Sequence, residues 1–501
     1  MLKPAALFTD GAVLCREKEI RVFGEADSGA EVTVTLLDRG GGMLAEAACR
    51  AENGRFLASL CPQRAQTGCR LVIRSGNEQA EAADVAVGDV FLAGGQSNME
   101  LELRSADEGA EIIRSYDDPL LRFFNVPRIA IAGPEQKKAN EETRWHAVAP
   151  GQGGENSAVA YFFAAKLRER RPEIPVGIIG CYWGGTSVTC WMEEELLRTT
   201  AEGSRYLDEY AAKCAGKTME TFLKEDQVFW ETLDRWNKAV AEYQQAHPGA
   251  EWRDVEAACG PAPWNPPVGP GSPFRPAGLA VTMVREVVPV TLAGILYYQG
   301  EQDAEVTDQY DVLMKLLIRG WRDLFRDENL PFLFVQLPMW LDWYAEDRRS
   351  WAKIRLAQAK ARDEMANAGM ICLLDQGEYG NIHPTAKRPV GERLAELAGV
   401  MLYGGGEVSP RATGKGTDGN SLVIGLSAKV HTRDGKEPAL LEIAGEDGQF
   451  VPAKAEIRGD TLRLGADGVG RPVSARYAWT DWSDAVNLFG ENGLPLEPFC
   501  L

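Results

Sequence analysis

What most constrains this chain is a series of short apolar runs that alternate with helical stretches. Residues 90–93, 121–126, 176–180, 293–298, 332–337 and 370–374 are apolar runs of strand length, as expected of strands buried on both faces. Between them, residues 158–170 place Val159, Phe162, Phe163 and Leu167 on one helical face, and residues 310–325 and 351–365 are also helical in pattern. Strands joined by helices run parallel and are covered by those helices. A parallel α/β sheet is therefore predicted for about residues 86–405. In open sheets of this kind, ligands collect at the C-terminal ends of the strands.

Two β-rich segments flank that core. In residues 1–85, the stretches 19–24 and 31–37 alternate with period two, and 55–60 and 70–74 continue the series. Turn chemistry such as Asp27-Ser28-Gly29 and Asn53-Gly54 falls between them, so a small β-sandwich-like domain is predicted. After Gly404-Gly405-Gly406 the pattern returns to strands, at 421–426, 440–444, 461–464 and 475–479, making 406–501 a C-terminal β domain. An insertion at about 190–280 interrupts the core. Phe222, Phe229, Leu233, Trp236, Val240 and Tyr243 form a helical packing stripe. The proline-rich stretch 260–270 can be neither helix nor central strand. A helical hairpin and a long loop are expected there, the loop walling one side of a cleft.

Several function classes are excluded by composition. A net charge of −19 argues against nucleic acid or an anionic membrane as partner. No signal peptide or spanning apolar run is visible, so a cytoplasmic protein is expected. The 10 cysteines show no C-x-x-C spacing and the 4 histidines no metal-ligand pattern, so neither metal nor cofactor is expected. The sequence assigns no oligomeric state.

Four blocks fall at or just beyond predicted strand ends: Gly95-Gln96-Ser97-Asn98-Met99, Tyr182-Trp183-Gly184-Gly185-Thr186-Ser187, Tyr298-Gln299-Gly300-Glu301 and Asn381-Ile382-His383-Pro384. Singly, each has an ordinary structural explanation: Ser97 as the N-cap of a helix, His383 as a structural histidine. Together they supply what acyl transfer needs. Ser97 is a hydroxyl nucleophile and His383 a base. The Ser97 N–H, the Gly184 or Gly185 N–H and the Gln299 amide can form an oxyanion hole.

The blocks, in this order, resemble the SGNH hydrolase superfamily, and more closely the sialate O-acetylesterase-like carbohydrate esterases. The stretch from Asp89 to Glu100 resembles the nucleophile block. Tyr297-Tyr298-Gln299-Gly300-Glu301 resembles the glutamine-glycine-glutamate block, and His383-Pro384, Lys387, Gly391 and Arg393-Leu394-Ala395 the histidine block. The resemblance implies a three-layer α/β/α SGNH domain, Ser97 as nucleophile, His383 as general base, and Ser97, Gly184, Gly185 and Gln299 at the oxyanion. Glu301 would support the site. The implied substrate is an acetylated carbohydrate, sialic acid or an oligosaccharide, hydrolysed through an acetyl-enzyme. This chain departs in three places, one of them Thr186-Ser187-Val188-Thr189-Cys190-Trp191, the stretch after the glycines. Asn381 stands where many relatives have an aspartate two residues before the histidine, so Asn381, Asp375, Glu378 or no group at all orients the imidazole. Gln302-Asp303 stands where a small residue and asparagine are commoner. A carbohydrate-binding protein without catalysis, and another acyl hydrolase of the same fold, are the alternatives to an acetylesterase.

Overall fold

The computed structural model describes residues 1–501 except Asn265 and Tyr344. It is a mixed α/β protein built on a large mixed sheet, with a β-rich C-terminal region. The sheet is organised by one strand, Glu78–Gly95, of 18 residues. Its first half pairs antiparallel with Gln66–Ser75. Its second half pairs parallel with Val176–Tyr182 on one side and Gly294–Tyr298 on the other. Phe332–Val335 and Ala368–Ile371 extend the parallel sheet beyond Gly294–Tyr298. Asp118–Asn125 extends it beyond Val176–Tyr182. Each run read as strand from its apolar character is a strand, because both faces of the sheet are covered and only continuous apolar sequence tolerates that.

Helices Ala158–Arg170 and Arg388–Ala398 pack on each other, as do Tyr310–Leu324 and Ser350–Glu364. Along the central strand, Phe91 meets Phe163 of the first pair edge to face at 4.8 Å. At Gly94, a Cβ would lie 2.8 Å from the Trp321 ring of the second pair.

The flanking β regions differ in their relation to this sheet. In the N-terminal region, Leu2–Pro4, Ile20–Ala26 and Arg55–Leu60 form a small sheet. The others, Val13–Cys15, Glu31–Leu37, Met43–Arg50 and Gln66–Ser75, join the main sheet through Glu78–Gly95. That strand runs without a break through the boundary expected near residue 85, and one hydrophobic core extends from Val22 and Val34 to Phe91 and Leu296. The C-terminal strands enclose a second core of Leu422, Ile424, Ile443, Leu462, Leu464 and Tyr477, joined by Met339, Cys372 and Leu374 from the α/β part.

The insertion is a succession of helices rather than a single hairpin: Glu194–Leu197, Ala201–Lys213, Met219–Ala246 and Trp252–Cys259. Of the predicted stripe, Phe222, Phe229 and Val240 are buried, while Leu233, Trp236 and Tyr243 are half-buried. The proline-rich loop follows; within it, Asn265 lies outside the described residues.

Candidate active site

The central strand ends at Gly95, and parallel pairing sets its last residue level with Tyr182 and Tyr298. The blocks that follow these strands therefore emerge side by side. Gly95 has φ +131°, and a Cβ there would overlap the Tyr298 carbonyl, so only glycine fits. The Gln96 N–H donates to that same carbonyl at 3.0 Å. The chain then turns into the short helix Ser97–Glu100. The Met99 and Glu100 N–H groups return to the Gln96 carbonyl, and the Ser97 N–H is left without an internal acceptor among the described residues.

His383 arrives from the loop beyond Ala368–Ile371, and its Nε2 lies 2.8 Å from Ser97 Oγ. Crowding by surrounding protein and the nearby Lys387 ammonium both lower the imidazole pKa, although the residue as a whole is exposed. Both effects favour the neutral form, which a base needs.

The groups expected to orient this ring are engaged elsewhere. Asn381 Oδ1 accepts the His383 backbone N–H at 3.0 Å, and Asn381 Nδ2 donates to Glu378 at 2.7 Å. Asn381 thus shapes the loop and does not hold the imidazole. Asp375 is clamped by Arg393 through two bonds of 2.7 Å. Burial alone would raise the Asp375 pKa, but the Arg393 bond and charge bring it below the usual carboxylate value. Among the described residues no hydrogen bond reaches His383 Nδ1. Of the alternatives open for the imidazole, the geometry among the described residues matches Ser97 and His383 paired with no group on Nδ1, rather than a ring steadied by Asn381 or Asp375.

The oxyanion donors are also redistributed. Gly184 sits against Ser97, where a Cβ would be 3.3 Å from Ser97 Cβ, but its N–H donates to the Glu100 carboxylate. Arg128 holds the other oxygen of Glu100. Gln299 is buried, and its Nε2 faces Asp303 at 2.6 Å and Gln96 Oε1 and the Thr186 carbonyl at 3.1 Å each. Tyr310 donates to its Oε1 at 2.9 Å. Gln299 therefore braces the blocks against each other and is not free to meet a substrate oxygen; Gly184 likewise has no spare N–H. The Gly185 N–H, like that of Ser97, has no internal acceptor among the described residues. Gly185 has φ +71°, and a Cβ on it would run into the Trp264 indole.

Sequence reasoning passed over three groups that hold this floor together. Asp303 accepts from Ser187 Oγ at 2.6 Å, the Val188 N–H at 2.9 Å and Tyr206 at 2.8 Å, besides Gln299. Burial raises its pKa and these donors oppose the rise. Asn98, fully buried, donates to Glu301 at 2.6 Å and to the Ile382 carbonyl at 3.0 Å. Lys387, also buried, donates to Asn98 Oδ1 at 2.5 Å. Desolvation pushes the Lys387 pKa down to about 7 against the pull of Glu301 and Glu378, and raises that of Glu301. Both Asn98 and Lys387 lie within the blocks, but nothing in their spacing says that they meet. On one side the site is walled by Trp264 of the insertion, which packs edge-on against Phe229 and Phe274 at 5.9 and 5.7 Å.

Residues 275–399 match the family model described as carbohydrate esterase, sialic acid-specific acetylesterase. The match contains Gln299, Glu301 and His383; Ser97 lies outside it. The chain is 24% identical to a sialate O-acetylesterase of Mus musculus over 92% of this chain and 86% of that protein. It is 23% identical to that of Homo sapiens over 92% and 84% respectively. Among solved structures, a carbohydrate acetylesterase from Xanthomonas citri superposes with a TM-score of 0.76 at 28% identity, covering 100% of this chain and 99% of that one.

Proposed function

We propose that this carboxylic ester hydrolase, a relative of the sialate O-acetylesterases, removes O-acetyl groups from carbohydrate through an acetyl-enzyme on Ser97. The observation that carries the reading is the 2.8 Å approach of His383 Nε2 to Ser97 Oγ. In the first step Ser97 Oγ attacks the acetyl carbonyl and His383 Nε2 takes the hydroxyl proton. The negative oxygen that forms is received by the free N–H groups of Ser97 and Gly185, at the start of a short helix and in a glycine turn. Collapse expels the sugar alkoxide, which leaves as an alcohol with the proton from His383. Water then attacks the acetyl group, again giving its proton to His383. Acetate departs, and Ser97 Oγ takes the proton back. The pair works without a carboxylate on the imidazole, whose lowered pKa keeps the ring unprotonated and ready to accept the Ser97 proton.

The fold reading that accompanies this is the three-layer α/β/α SGNH domain. It is supported by Phe91 and Gly94, which alternate in direction along one strand and meet helices of different pairs. An N-terminal β part, a catalytic part beginning near residue 86 and a C-terminal β part beginning near 406 complete the division. The half-exposed indole of Trp264 and the ring of Trp183, beside the Gly184–Gly185 turn, are placed to stack on a sugar face.

Ser97→Ala tests the reading. Acetate release from p-nitrophenyl acetate and from O-acetylated sugars should fall by about 10³-fold or more, with an unchanged melting temperature. Activity close to that of the parent enzyme in the folded variant would overturn it.

A further inference from the structure

Asn98 follows the nucleophile and never reaches the substrate pocket, yet its amide touches three separate elements. Its Nδ2 donates to Glu301, beyond the strand Gly294–Tyr298, and to the carbonyl of Ile382, the residue before His383. Its Oδ1 accepts the ammonium of Lys387, four residues after His383 and at the start of the helix Arg388–Ala398. One buried amide is thus bonded to the base loop on both sides of the imidazole. Lys387 itself is almost wholly enclosed, with its Nζ 5.7 Å from the centre of the Tyr298 ring. A lysine is rarely enclosed in this way, because taking an ammonium out of water is costly unless a partner holds it. Its opposite charge is Glu301, reached through Asn98.

We propose that Lys387 is a positioning residue of the hydrolysis: held on the Asn98 amide, its ammonium locks the His383 loop to the Ser97 turn and keeps the imidazole neutral. The inference rests on Ser97 and His383 as the reacting pair. The charged and titratable groups facing this ammonium are Glu301 from the Gln-Gly-Glu turn, Glu378 and His383 from the base loop, and Tyr298 at the strand end. Among these the lysine supplies the positive charge that opposes protonation of His383. Protonating His383 beside it places two cations in one cleft, so the neutral ring persists to lower pH.

The test follows the four histidines of the intact chain by NMR after ¹³C-histidine labelling, with His383 assigned from a His383→Gln sample. In the parent protein, His383 should titrate below the ordinary imidazole range. In Lys387→Gln its midpoint should rise by about one pH unit, and kcat on p-nitrophenyl acetate should drop by about 10²-fold as the loop loosens. Lys387→Arg, which keeps the charge, should retain the low midpoint. Unchanged titration of His383 in folded Lys387→Gln would overturn the proposal. Should that variant not fold, Asn98→Ala decides: it should keep the low midpoint and lose at least about tenfold in kcat, and undiminished kcat would overturn the positional half. A parent enzyme with no Ser97-dependent hydrolysis, but with the expected titration shift, would sink the esterase reading and leave the charge relation standing.

Discussion

The floor of the site and the wall beside it are built in opposite ways. On the floor, Gln96, Asn98, Gln299, Glu301 and Asp303 are all buried polar groups, and each is bonded to a block contributed by a different strand. On the wall, the long helix Met219–Ala246 buries only Phe222, Phe229 and Val240 of its 28 residues and leaves Leu223 and Val228 exposed. Buried polar networks admit few alternative arrangements, because every broken bond leaves an unsatisfied group. A lightly packed helical layer can shift and be altered at small cost. On the proposed function, the difference would separate two tasks: the floor would fix the chemistry, and the wall, free to vary, would meet the sugar.

That contrast can be broken most forcefully at Asp303. Asp303→Ala strands the donors of Ser187, Val188, Tyr206 and Gln299 together, and should cost about 3 kcal/mol or more, read as the shift of the urea midpoint. A loss below about 1 kcal/mol would show that the floor is not cooperative. Trp264→Ala should act in the other manner. It removes the indole over Gly185, so KM for an acetylated oligosaccharide should rise by about three- to tenfold, while kcat on p-nitrophenyl acetate holds. Equal losses on both substrates would place Trp264 in the machinery of the floor. Smallest of all, Val228→Gln on the exposed side of the insertion helix should change stability by less than about 0.5 kcal/mol in the same urea experiment. A larger effect would reveal a contact that makes the wall firmer than its exposure indicates.

What could be read from sequence follows the same division. The parallel strands were legible because a strand covered on both faces has to be apolar throughout, and runs such as 90–93 and 176–180 admit little else. Ser97 and His383 could be singled out as candidates because a hydroxyl and an imidazole at strand ends carry functional groups that few other residues supply, and the two lie 2.8 Å apart. Donors are different. Gly184 and Gly185 look alike in sequence, yet among the described residues only the Gly184 N–H is taken, by Glu100 from another block. Gln299 has the right amide for an oxyanion, and its engagement with Asp303 depends on a turn, Gly300 at φ +153°, that no spacing announces. Asn381 is the plainest case. Its place two residues before the histidine resembles that of a triad carboxylate, but its oxygen faces the backbone N–H of His383 instead. The departure at Asp303 also has its explanation here. The carboxylate is matched by hydroxyl donors from Ser187 and Tyr206, the latter from the insertion.

The uninterrupted strand Glu78–Gly95 has a consequence for anyone who would take the protein apart. Its two halves serve different neighbours, yet they share a backbone, so the opening β region is not a cassette that can be cut away or exchanged at residue 85. Removing residues 1–77 would strip the antiparallel partner from the first half of that strand and bare the upper part of the core built on Val22 and Val34. A graft made from a homologue would have to carry the strand whole to Gly95, two residues short of Ser97, and so would bring the edge of the site along with the scaffold.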